Sequence, residues 1–378
     1  MAIRPNTLGG AKLPSQSRAA HSQEAVEVLI VGGYPPPTGG VTIHIERFHQ
    51  FCQKERFPIR IITQFNSAPH KDVLRLKGGA VIQLFHLIYL ILRFKGKIIH
   101  IHAARFNKLL YGGLPMIWAA SSKVKILTYH TDAGASAPKG ALKQWALKRI
   151  LSRFEYLICV NENQKEYFAN NLGITKNKLL VIPSFIPLQN IPDNVSGEIR
   201  DFVHAARKRV DYLVISTGYL TEIYGYDMII DAVKDIPGKT IGIIFVFYTS
   251  TDKTYQKILS RKMKSFPNIW SFQDLSSDDF FYLIQHSDVF IRANREDTYG
   301  MVVGDAITLG TPAIASNVCK RHEGAILFES GNIGDLREKI ITTLEDLSEV
   351  KKRQPAFSEQ NFATNVLDLY KRILSEKL

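Results

Sequence analysis

Three acids surround one aromatic–glycine pair. Glu296, Asp297 and Asp305 flank Tyr299-Gly300 in the stretch REDTYGMVVGDA. A helix beginning beyond Gly300 accounts for the first two, because carboxylates favour the positive end of a helix dipole. Asp305 is different: it falls among Met301, Val302, Val303, Ala306 and Ile307, where an ionised group needs a partner. The plainer alternative makes Asp297 a helix cap and Asp305 a surface acid. Gly39-Gly40 opens a helical run after a strand, as phosphate-approaching loops do, yet it lacks G-x-G-x-x-G and suits a tight turn equally well. His130 ends the apolar run KVKILTYH and, taken alone, can be a core histidine bonded to backbone. His100 and His102 share one strand face, a spacing that could ligate a metal. No acid or cysteine cluster accompanies them, so a packed strand is the simpler reading and no metal site is expected.

The elements that must hold these residues alternate regularly. VEVLIVGG, KIIHIHA, KVKILTYH, YLICVN and LLVIPSF read as buried strands separated by helices. After LQNIPDNVSG (188–197), which has the composition of a linker, the pattern restarts with YLVISTG, IGIIFVFY, NIWSFQ, DVFIRAN and PAIAS. Two doubly wound α/β halves would therefore face one another across a cleft, and ligands in such sheets bind at the carboxyl ends of the strands.

Composition narrows the partners. The apolar fraction of 45% and charged fraction of 22% suit a soluble globular chain. Cys52, Cys159 and Cys319 are scattered and odd in number, which speaks against a disulfide framework or a zinc site. The polar first 25 residues read as a disordered tail. The longest apolar run, AVIQLFHLIYLILRF (80–94), falls short of the roughly 20 residues that a spanning helix needs. It reads first as a covered core helix and alternatively as an interfacial element on anionic lipid. The net charge of +13 is uneven: residues 26–187 hold 22 Lys/Arg against 8 Asp/Glu, and residues 188–355 hold 20 against 23. A basic half implies a polyanionic neighbour. Without zinc-finger spacing, an RNP-like segment or an arginine-rich arm, an anionic membrane surface is favoured over nucleic acid.

Six segments in order carry a resemblance: GGYPPPTGGVTIHI, IIHIHAARF, LTYHTD, YLICVNE…LLVIPSFIP, GYLTEIYGYDMIIDA and SDVFIRANREDTYGMVVGDAITLGTPAIAS. From residue 26 onward the chain resembles the retaining glycosyltransferases of family 4, which have the GT-B fold of two Rossmann-like domains. The resemblance implies an N-terminal acceptor domain over 26–187, a linker over 188–197, a nucleotide-sugar domain over 198–355 and a C-terminal helix, 356–378, crossing back to the first domain. VIPSFIP, YGYD and RHEGAILF resemble a branch found in bacterial capsule and O-antigen biosynthesis.

Carried over residue by residue, the resemblance makes His130 and Asp297 catalytic, with Asp297 on the transferred sugar and Asp305 on the nucleotide ribose. Gly39, Gly40, Tyr299, Gly300 and Met301 would border the donor, a UDP-sugar in first place. Family members carry Arg and Lys where this chain has Tyr219 and Tyr224, so Arg292, Arg295 and Arg321 are expected to supply the missing positive charge to the diphosphate. The expected protein transfers a hexosyl unit, with retention and without metal or other cofactor, to a lipid-linked glycan. It would do so on the cytoplasmic, inner face of a bacterial cytoplasmic membrane. The alternative is a catalytically silent GT-B subunit that scaffolds polysaccharide assembly.

Overall fold

The computed structural model describes residues 25–37, 39–67, 69–131, 138–188, 192–234, 236–248, 252–353 and 361–376. The expected tail lies outside them except for Ala25, as does part of the expected linker.

The first domain is a seven-stranded parallel sheet of β1 (Val28–Val31), β2 (Ile59–Thr63), β3 (Val73–Arg75), β4 (Ile98–Ala103), β5 (Val124–Tyr129), β6 (Tyr156–Cys159) and β7 (Leu179–Val181). The order β3-β2-β1-β4-β5-β6-β7 reverses direction between β1 and β4. Its helices are α1 (Gly40–Lys54), α2 (Ala80–Arg93), α3 (Phe106–Ala119), α4 (Ala141–Leu151) and the short α5 (Glu162–Glu166). Both faces are covered, which is why β4 and β5 are buried at every position.

The second domain repeats the plan with β8 (Tyr212–Tyr219), β9 (Ile241–Tyr248), β10 (Ile269–Gln273), β11 (Val289–Arg292), β12 (Ala313–Ser316) and β13 (Ile326–Phe328), in the order β10-β9-β8-β11-β12-β13. Helices α6 (Gly197–Arg207), α9 (Ser277–Gln285) and α10 (Met301–Thr308) cover one face. On the other lie α7 (Tyr226–Val233), α8 (Lys253–Lys264) and α11 (Ile333–Glu345). After α12 (Leu347–Arg353), the final helix α13 (Ala363–Ser375) packs beside α1 in the first domain's core through Val366, Leu367 and Tyr370.

One expectation fails here. The helix α2 is not a covered core helix: only Leu87 and Ile91 are fully buried, while Val81, Ile82, Phe85, Tyr89 and Leu92 stand in solvent. Its apolar residues divide between an inner stripe on the sheet and an outer stripe without cover.

Candidate active site

The site is built where both sheets reverse direction, from the loops beyond β1, β5, β8 and β11. A cavity of about 350 Å³ opens between the domains, bordered by Gly39, Gly40, Arg47 and His130 on one side. Tyr219, Tyr224, Tyr248, Arg292, Asp297, Tyr299, Gly300, Met301 and Asp305 border it on the other.

Asp297 is the centre of the second wall. Its Oδ2 accepts from Arg321 Nη1 at 2.7 Å, Arg292 Nε at 3.0 Å and Asn294 Nδ2 at 3.3 Å, and its Oδ1 accepts from the Thr298 amide at 2.9 Å. Burial pushes the carboxyl up, but the two guanidiniums outweigh it and bring the carboxyl down to about 2. Asp297 is therefore a fixed anion near neutral pH. Gly300 makes this packing possible. Its φ of 74° lies in the left-handed region, and a Cβ there would stand 2.7 Å from Arg321 Nη1 and 3.0 Å from Asp297 Oδ2. The first turn of α10 follows directly.

The three arginines expected at the diphosphate separate. Arg292 ends β11 and borders the cavity; it donates to the Thr217 carbonyl at 3.2 Å and lies 5.0 Å from the centre of the Tyr224 ring. Arg321 is spent internally. Beyond Asp297 it donates to Ser316 O at 2.9 Å, Ser316 Oγ at 3.1 Å and Tyr299 O at 3.1 Å, and it does not border the cavity. Arg295 turns away to the Glu222 carbonyl and to Asp227, 3.3 Å distant. Of the expected set, only Arg292 presents charge to the cleft. The positions that lack Arg and Lys present tyrosine rings instead: Tyr219 and Tyr224 meet edge to face at 6.1 Å, and Tyr219 and Tyr248 at 5.9 Å.

Asp305 has the partner its surroundings require, and it comes from the other domain. Arg47 on α1 reaches both carboxylate oxygens, at 2.7 Å and 2.9 Å, and also donates to the Ile186 carbonyl. Burial outweighs the opposing pull of Arg47 and leaves the Asp305 carboxyl above its ordinary value. The two-pronged geometry ties the domains together across the floor of the cleft. Each oxygen keeps a second lone pair, so a ribose hydroxyl can still be accepted there. Gly39 also approaches the second domain closely: a Cβ on it would lie 3.4 Å from the Tyr219 hydroxyl.

His130 closes the first wall within a group of imidazoles. His102 Nδ1 and His130 Nε2 are 2.9 Å apart, His130 Nδ1 and Ser184 Oγ 3.3 Å, and His44 Nδ1 donates to the Ser184 carbonyl at 2.8 Å. His100 is held by Tyr370 and, at 2.7 Å, by Thr128. Burial lowers all four, His44 to about 4 and His100 to about 3, so these rings are neutral. His100 is thus a packed core residue, whereas His102 braces His130. Among the described residues, His44, His102 and His130 could hold a metal ion, as could His49, His70 and Asp72. In the first group the hydrogen bonds just given already occupy most ring nitrogens, and His102 Nε2 is without a partner. In the second, His49 Nε2 faces Asp72 at 3.4 Å and Gln53 at 3.2 Å.

Sequence alone does not single out Arg47, His44 or Tyr248. Their partners lie on other elements, and the apolar spacing of α1 describes only its buried face.

Two facing parallel-sheet domains with this cleft define a GT-B architecture, and comparison with known proteins agrees. Residues 38–190 match Glycosyltransferase Family 4 and residues 211–346 match Glycosyl transferases group 1. The chain belongs to the GT-B glycosyltransferases. It is similar to an uncharacterized glycosyltransferase of Methanocaldococcus jannaschii, with 24% identity over 346 residues, covering 85% of this chain and 89% of that one. Among solved structures, Anabaena HepE in complex with UDP-glucose shares the fold at a TM-score of 0.73 and 15% identity, covering 92% of this chain and 99% of that one. A glycosyltransferase from Rickettsia africae does so at a TM-score of 0.69 and 15% identity, covering 94% and 100%.

Proposed function

We propose that the protein is a retaining hexosyltransferase that takes its sugar from a nucleotide donor, UDP-linked, and passes it to a lipid-linked or growing glycan in cell-surface polysaccharide biosynthesis. The carrying observation is the second wall of the cleft, where Tyr219, Tyr224, Tyr248 and the start of α10 border the same cavity as the paired Arg292 and Asp297. A diphosphate is recognised by such a combination of guanidinium and hydrogen-bond donors. That Anabaena HepE, of like fold, is seen with UDP-glucose supports the donor class.

The residues then divide the work. Arg292 and the α10 amides stabilise the charge that builds on the leaving diphosphate. Asp297 keeps a lone pair on Oδ1 for a hydroxyl of the transferred sugar, and Asp305 accepts from the ribose. Neutral His130, its two ring nitrogens engaged by His102 and Ser184, borders the reacting sugar without a repelling charge. Among the described residues the only carboxylates bordering the cavity are Asp297 and Asp305, and both are held by arginine. Neither is free to attack the sugar or to take a proton. The acceptor hydroxyl attacks the anomeric carbon from the side of the departing diphosphate, its proton passes to a diphosphate oxygen, and the configuration is kept.

The acceptor domain would rest on anionic lipid at the inner face of the membrane. Three neighbouring helices expose large apolar residues: Phe85 and Tyr89 on α2, Trp118 on α3, Trp145 on α4. No helix of the described residues is long and apolar enough to cross a membrane. Interfacial binding is what such faces, set in a basic domain, favour.

The test is a screen of nucleotide sugars against membrane extracts, with the product's anomeric configuration read by NMR. Retention is expected. An inverted product would remove this mechanism, and a protein that neither binds nor turns over any donor would be the scaffold instead.

A further inference from the structure

A second cavity, of about 610 Å³, lies beneath α2 in the first domain. Leu84, Leu87, Ile101, Leu109 and Met116 belong to its largely apolar wall, and Gly112 leaves room where α3 passes. A space of this size lined by aliphatic side chains has the dimensions of a ligand site. Its polar edge consists of Thr42, Gln64, Gln83, His102 and Arg105, and among the described residues no acid borders it. Lys77 follows the wall residue Leu76 directly in sequence and is exposed. The wall is therefore apolar and the charge beside it positive.

Its position links the membrane-facing helix to the transfer site. Val81 both borders the cavity and belongs to the exposed stripe of α2. At the other end Val41 borders both cavities, and His102 of this one is hydrogen-bonded to His130 of the cleft.

We propose that this cavity takes the aliphatic chain of a phosphate-bearing lipid, entering from the outer face of α2 and leaving its head group beside Arg105, toward the cleft. The inference rests on the lipid-linked acceptor above and names where the chain of that acceptor lies. A chain with an anionic head satisfies the lining and the rim together, whereas an apolar peptide would leave the basic edge without a counter-charge.

The experiment is a calorimetric titration of the full chain with a series of n-alkyl phosphates, hexyl to dodecyl, each below its micellar concentration. Inorganic phosphate and decanol serve as the head and the chain alone. Affinity should rise about fourfold per added methylene until the cavity is full, and decanol should bind more weakly than decyl phosphate. Gly112→Leu, which fills the space between Leu84 and Met116, should abolish the chain-length dependence while UDP affinity, read in the same preparation, stays unchanged. Leu84→Trp should do the same by a different side chain, so that a misfolded first variant does not decide the matter. Chain-length dependence surviving both substitutions, or absent from the wild type, overturns the proposal. Decanol binding as tightly as decyl phosphate overturns the phosphate-bearing head. Transfer at full rate to a water-soluble glycan without lipid would instead overturn the acceptor reading, whatever the cavity binds.

Discussion

Arg47 and Asp305 stand 258 positions apart in the chain, yet each is the other's main partner. Both side chains are almost wholly buried, so removing one leaves an uncompensated group in a dry place. Arg47→Met should destabilise the protein by about 3 kcal/mol in denaturant unfolding, and Arg47→Met with Asp305→Leu should recover most of the loss. Equal stability of the single variant and the wild type would mean the pair does not hold the domains. The two arginines on Asp297 make a contrasting prediction. Arg292→Ala should weaken nucleoside diphosphate far more than monophosphate, because Arg292 borders the cavity. Arg321→Ala should lower the melting temperature without that selectivity, because its guanidinium is used up on Ser316, Tyr299 and Asp297. Sequence alone could pick out Asp297, Gly300 and His130, which sit in recognisable local patterns. It could not distinguish Arg292 from Arg321, since which arginine faces the cleft is decided by the carbonyls that capture the other.

Among the elements, the long buried strands were legible because covered parallel strands are continuously apolar. The segments IRIIT, VLR and ILF, which form β2, β3 and β13, do not read as strands: Arg60 and Arg75 interrupt the first two, and the last is only three residues long. The strands β4 and β5 and the helix α1 also bring four imidazoles together, which no single run reveals. The consequence is a pH dependence. Burial holds these rings neutral, with His44 near 4 against an ordinary 6.5, so the unfolded chain binds more protons in that range. Stability should be full above about pH 6.5, fall as pH drops through that value, and keep falling until the folded-state values are reached. Denaturant midpoints measured between neutral pH and about pH 4.5 should decline. A flat profile would mean that the rings are already protonated or exposed.

The whole molecule is electrically lopsided, with its excess positive charge in the first domain and exposed aromatic residues on the helices of that same domain. Binding to vesicles of acidic phospholipid should therefore have two components. The electrostatic one, roughly 1 kcal/mol per basic residue near the surface, weakens as salt rises. The apolar one remains at high salt and should be lost in Phe85→Ser/Tyr89→Ser, which leaves the nucleotide cleft untouched. Vesicle binding unchanged by both salt and this double substitution would place the contact elsewhere. In the other domain, the proposed role of the cleft is to hold a nucleoside diphosphate through Arg292. Calorimetric titration of the wild type and of Arg292→Ala with UDP, GDP and ADP, each against its monophosphate, tests it most directly. A diphosphate, UDP first, should bind the wild type roughly tenfold or more tighter than its monophosphate, and Arg292→Ala should bring the two affinities together. Failure of every diphosphate to bind, or a preference that survives the loss of Arg292, would contradict it.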